Sequence, residues 1–126
     1  MSNYFAGITV GVIILQTMVF APTIFKTLDP QPAGKLLRGL FPKFFRLLVV
    51  LGAANLIALG LGSEPTTLRW ILAGLTCLLP LICALLVPAT NRATDQEDKA
   101  AFKRLHATSV ILTVIVLLAN IAMPFV

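Results

Sequence analysis

The sequence predicts an all-α integral membrane protein, a four-helix bundle with both termini on the outer face. Three observations predict it. Of its 126 residues, 58% are hydrophobic and 12% charged, and the mean hydropathy of +0.94 lies far above that of a soluble domain. Four stretches, residues 1–25, 47–63, 70–91 and 105–126, contain no Asp, Glu, Lys or Arg; each supplies roughly 17 to 22 helical residues, where a hydrocarbon core of ~30 Å needs about 20. The third observation is charge placement. Lys26, Lys35, Arg38, Lys43 and Arg46 flank or fill the first loop, Arg92, Lys99, Lys103 and Arg104 the third, and Arg69 alone falls in the second. That imbalance puts loops one and three in the cytoplasm. The spans then fall at about 4–25, 44–63, 69–88 and 104–124, within one domain covering 1–126, in a multi-pass protein of a cell inner membrane.

The first span has a cap available in Ser2 or Asn3 and a predicted kink at Pro22. Its start carries no basic residue and no convincing cleavage site, so it is expected to be retained rather than removed as a signal. Gly7 and Gly11 share a face, and packing inside the bundle is the expected use of that spacing. "KTLDPQPAG" reads as a turn. "GKLLRGLFPKFFRLL" then mixes bases with Leu and Phe, as a short interfacial helix leading into the second span does, with Pro42 in its first turn. Trp70 opens the third span as an interfacial anchor, and Pro88 can end that helix early. Ahead of the fourth span, "TDQE" fits a capping box between Thr94 and Glu97, with Asp95 and Lys99 four apart as a supporting pair.

Cys77 and Cys83 both lie in the third span. Six positions apart, they point about 120° from one another and sit ~9 Å apart along the axis, which excludes a disulfide and leaves two small thiols. The net charge of +5 answers to membrane insertion and anionic headgroups; no groove-reading motif points to nucleic acid. No nucleophile stands beside a base, and no glycine-rich phosphate loop is present. Activity as an enzyme is therefore not the expectation.

Two groups of polar residues remain. Phe102, His106, Ser109, Thr113 and Asn120 follow spacings of 4, 3, 4 and 7, one helical stripe expected to face the interior. Counting from the nearest cytoplasmic base, Gln16, Asn55 and Thr113 reach one level about 14 Å in. The third span adds the carbonyl of Thr76, which loses its helical partner because Pro80 has no amide proton. Gln16, Asn55, Thr76 and Thr113 thus form a candidate midplane polar layer, either a packing device or a site for a small solute. His106, two residues past Arg104, sits near the headgroup boundary, where a structural histidine and a ligand are both open readings. One histidine and two cysteines at different depths offer no metal-ligand spacing, so neither metal nor cofactor is expected; the alternative is haem or copper on His106, with a bis-histidine haem needing a second subunit.

The segments "VFAPTIFKTLDPQPAGKLLRGLFPKFFRL" and "VPATNRATDQEDKAAFKRLHATSVIL" resemble the transmembrane-protein-205-like family of four-span membrane proteins, over nearly the whole chain. Pro22, Phe25, Gly39, Phe41, Pro42, Phe45, Pro88, Phe102 and Leu105 carry the resemblance, together with Asn91, Arg92, Asp95, His106 and Ser109. These positions cluster at the cytoplasmic helix ends. The resemblance implies a cytoplasm-facing site in which Asn91, Arg92, Asp95, His106 and Ser109 take part; helix capping by Asp95 or Asn91 and phosphate binding by Arg92 are the structural alternative. The four-helix plan is more distantly similar to copper-resistance membrane proteins and to the membrane protoporphyrinogen oxidase, which place more histidines than this chain has. The expected function is a non-enzymatic membrane module that binds a lipid, partner or small solute at its cytoplasmic face. Transport would require a homo-oligomer, since one bundle of this size has little room for a channel.

Overall fold

The computed structural model describes residues 1–63 and 65–126 and contains four helices long and apolar enough to cross a membrane. They are α1 (Ser2–Thr27), α2 (Pro30–Leu61), α3 (Thr67–Asp95) and α4 (Lys99–Ala122), the last ending in a 3₁₀ turn at Met123–Phe125. α3 packs on α2 and on α4, and α1 closes the square by touching α2 and α4. Large side chains such as Leu78, Leu85, Val50 and Leu118 are exposed on the outside. In a membrane that surface meets lipid tails, so it costs nothing to leave uncovered.

The helices start and stop differently from the sequence expectation, each time for a local reason. The turn after α1 is confined to Leu28 and Asp29, because Pro30 and Pro32 fall in the first turn of α2, where no amide is required. No separate interfacial helix forms. α2 runs 32 residues through Pro42, a length of about 48 Å, so roughly a third of it stands beyond a ~30 Å hydrocarbon core. Ala33 and Leu37 in that extension are buried, as is Ala93 near the end of α3. The apolar face read as lipid-seeking is therefore spent on protein contacts.

Pro88 does not end α3, which continues to Asp95. The capping box is not formed. Thr94 still belongs to α3 and donates to the carbonyl of Thr90, while Asp98 caps α4 by accepting from the Ala101 amide at 3.1 Å. The Asp98 amide reaches the Ala93 carbonyl and the Glu97 amide the Thr94 carbonyl, a Schellman ending that puts Glu97 at φ 54°. Asp95 turns away from Lys99 and pairs with Arg38.

In α1 the turns before Pro22 form a π-helical segment at Leu15–Phe20, in which the Ala21 amide bonds the Gln16 carbonyl. Neither Ser2 nor Asn3 acts as a cap, and the helix start has no side-chain capping bond. Gly7 and Gly11 lie on the outside with no atom within 4 Å of where a Cβ would be, so this glycine pair does not pack inside the bundle. The close approach is made at Gly52. A Cβ there would sit 2.6 Å from the Cys77 nitrogen and 2.7 Å from the Thr76 carbonyl carbon. Backbone meets backbone where Pro80 has removed the partner of that carbonyl.

Candidate functional site

The interior is layered. Toward the end that holds both termini Ala6, Leu59, Ala73 and Met123 form one apolar cluster. Toward the opposite end, that of the α1–α2 and α3–α4 turns, Ile13, Phe44, Phe45, Leu48, Leu51, Cys83 and Val116 form a second. Between the two, each helix contributes one buried polar residue: Thr9, Asn55, Thr76 and Asn120, none more than 1% exposed. Thr9 and Thr76 are satisfied within their own helices by the carbonyls of Phe5 and Leu72. Asn120 crosses between helices, its Nδ2 donating at 2.8 Å both to Thr76 Oγ1 and to the Val116 carbonyl. The Oδ1 of Asn120 and both polar atoms of Asn55 have no hydrogen-bond partner in the protein.

The structure thus places Asn55 and Thr76 in one layer, as the sequence implies, and sets Gln16 and Thr113 apart from it. Gln16 lies seven residues from Thr9, and Thr113 seven from Asn120, each about 10 Å toward the end of the bundle that holds the α1–α2 and α3–α4 turns. Gln16 is 4% exposed, the one buried residue of the π-helical segment, and its Nε2 is unpartnered. Thr113 is half-buried and donates to the Ser109 carbonyl, which also faces the Cys83 thiol at 3.8 Å. Basic side chains snorkel over a turn or more, so they mark depth too loosely to align four helices. A better signal was present. Ser2, Thr9 and Gln16 recur every seven residues and are all buried, a polar seam along α1 that period alone would have revealed.

Among the described residues no side-chain hydrogen bond or ion pair joins any two of Asn91, Arg92, Asp95, His106 and Ser109. His106 is exposed and stacks on Phe102, ring centroids 5.5 Å apart and 7° from parallel. The stripe is exposed at Phe102 and His106 and turns inward only from Ser109 onward. Arg92 is exposed and Asn91 half-buried. Asp95 is engaged: Arg38 grips it with both guanidinium nitrogens, Nη1 reaching Oδ2 at 3.3 Å and Nη2 donating to Oδ1. That fork ties the N-terminal extension of α2 to the end of α3. Its hydrogen bonds hold the Asp95 carboxyl below its ordinary range. The pair's contribution is fully present above the unfolded carboxyl value of ~3.9 and is lost as pH falls through the lower folded value. Both groups are open to solvent, so the effect is small. Asp95→Asn should lower the thermal midpoint slightly in dilute buffer and not at all in ~1 M salt, where the screening length is ~3 Å; a midpoint titration in both buffers checks it.

Among the described residues, no three His, Cys, Asp or Glu side chains come together as a metal-binding group. His106, exposed on α4, is the residue that would hold a haem, and with one histidine in the chain a second histidine ligand would have to come from another copy.

Residues 4–99 match the model of the family described as Domain of unknown function (DUF4149). The chain belongs to this family. The match takes in α1 to α3 and the turn that follows, and so includes Gln16, Asn55, Thr76, Asn91, Arg92 and Asp95. No curated protein and no solved structure matches the chain. A DUF4149 chain is accordingly understood through its own geometry, and here that geometry offers one strongly basic end and a polar layer inside the bundle.

Proposed function

We propose that this chain is a non-enzymatic module of a bacterial-type inner membrane whose cytoplasmic face binds anionic lipid headgroups. One observation carries the reading. Under the positive-inside orientation, nine bases (Lys26, Lys35, Arg38, Lys43, Arg46, Arg92, Lys99, Lys103, Arg104) and four acids (Asp29, Asp95, Glu97, Asp98) share that face, a surplus of five. Among the described residues, Arg38 is the one base held by a carboxylate. The others are exposed on helix ends that reach past the hydrocarbon, where a negative surface potential attracts them. The likeness to the transmembrane-protein-205-like family supports the same face, since the residues that carry it sit at those ends.

The test is a thermal-unfolding series in detergent with added phosphatidylglycerol or phosphatidylcholine. The anionic lipid should raise the midpoint by several degrees and the zwitterionic one should not. The difference should shrink in ~0.5 M salt and in Arg92→Gln combined with Lys99→Gln. Equal responses to the two lipids would sink the proposal. An absorption spectrum of the same preparation decides the alternative, since a Soret band that disappears in His106→Ala would make this histidine a haem ligand.

A further inference from the structure

We infer that the bundle binds water in its interior, at a site made by Asn55, Asn120 and Thr76. Three observations converge. Asn55 is 1% exposed, yet its two donors and its acceptor find no protein group, and Asn120 Oδ1 in the same layer is likewise unpartnered. Burying amide atoms without partners is costly, and where several lie at one level the usual resolution is a bound water making about three hydrogen bonds. The donor sets are complementary. Both Asn120 amide hydrogens are already committed, to Thr76 Oγ1 and to the Val116 carbonyl, so Asn120 offers only an acceptor, while Asn55 offers a donor. A ligand that accepts from Asn55 Nδ2 and donates to Asn120 Oδ1 links the two, and water does so within the smallest volume, with a second hydrogen left for Asn55 Oδ1.

The third observation is a polar pocket one helical turn beyond the layer. At the outer end lies a pocket of about 370 Å³ lined by Ser2, Asn3, Thr66 and Arg69, with Ala58 and Leu59 also in its wall. Those two residues are one turn above Asn55 on α2. Ser2 is 7% exposed with its hydroxyl unpartnered, a polar group at the wall nearest the bundle interior. Next along the buried face of α1 come Ala6 and Thr9. Between the pocket and the polar layer stands one tier of packed apolar side chains, Ala6, Leu59, Ala73 and Met123, which separates the layer from the outer water and must part for exchange.

The experiment uses the full chain in lipid bilayers, labelled with ¹⁵N-asparagine, and reads magnetisation transfer from water to the side-chain amides. Asn3, exposed in the outer pocket, is the positive control. Transfer to Asn55 comparable with that to Asn3 is the expected result. Transfer to Asn3 with none to Asn55 overturns the site. A double-mutant cycle then tests the bridge itself. Asn55→Ser and Asn120→Ser should each raise the unfolding constant, and the double variant should fall short of the product of the two by about fivefold or more, as for groups sharing one partner. Multiplicative effects would mean that no ligand links them.

Discussion

Gly52→Ala should be among the most damaging single-methyl changes in this bundle, weakening it by roughly 2 kcal/mol. The added Cβ would stand 2.6 to 2.8 Å from the Cys77 nitrogen, the Thr76 carbonyl carbon and the Cys77 Cα. These are backbone atoms of a helix, and no rotamer change moves them aside. α2 and α3 must separate, and separation disturbs Thr76, through which Asn120 joins α3 to α4. In water alanine's better helix propensity, worth up to ~1 kcal/mol over glycine, would offset part of the loss. Dissociated helices remain helical in a micelle, so the propensity gain appears in both states and cancels. Gly74→Ala is the control. It lies in α3 with no atom within 4 Å of its would-be Cβ and should unfold as the wild type does. Equilibrium unfolding in mixed micelles compares the two; equal stability of both variants would show that the helices do not meet at Gly52.

That close contact was not visible in the sequence, whereas the four spans were. A span is announced by composition, because lipid accepts only long runs without charge, and α1 to α4 each contain the run expected of them. Contacts between spans carry no such signature. Gly7 and Gly11 offer the spacing associated with close packing and face outward, while Gly52, with no glycine four residues away on either side, makes the approach. Helix ends misled for a related reason: prolines at 30, 32 and 88 read as breaks and Pro42 as a first-turn residue, but Pro30 and Pro32 themselves sit in a first turn, and in long membrane helices the carbonyls freed by Pro42 and Pro88 are accommodated by neighbours. Thr94 and Glu97 satisfy the spacing of a capping box, yet the Schellman ending of α3 takes both, leaving Asp98 to begin α4. Tertiary geometry chose between two legal local patterns.

The candidate site shows the same division. Polarity inside a span is conspicuous, so Asn55 and Thr76 could be named from the sequence as interior groups. Which residues share a level depends on helix register, and that register is set by the packing of Ile13, Leu48, Leu51, Cys83 and Val116, not by the loops. Hence Thr9 and Asn120 occupy the places assigned to Gln16 and Thr113. At the cytoplasmic end the residues were identifiable but not their partners. The Arg38–Asp95 fork joins positions 57 apart in the chain, a pairing that required knowing that α2 extends beyond the membrane beside the end of α3.

Orientation should give the largest effect of all, an all-or-none one. Cysteine placed at Ser63, exposed between α2 and α3, is expected to react with a membrane-impermeant maleimide in intact cells. Cysteine placed at Gln31, exposed in the first turn of α2, should react only after lysis. The native thiols provide the blank, since Cys83 is buried and Cys77 half-buried within a span. The expectation rests on nine bases lying at the Gln31 end and one, Arg69, at the Ser63 end. Turning the chain over would carry that surplus outward against a potential worth ~2.3 kcal/mol per charge per 100 mV. Labelling of Gln31→Cys in intact cells would reverse the topology. It would also remove the basic face from the cytoplasm, and with it the anionic-headgroup proposal, while leaving the interior water site untouched: Asn55, Asn120 and Thr76 lie within the bundle whichever way it is threaded.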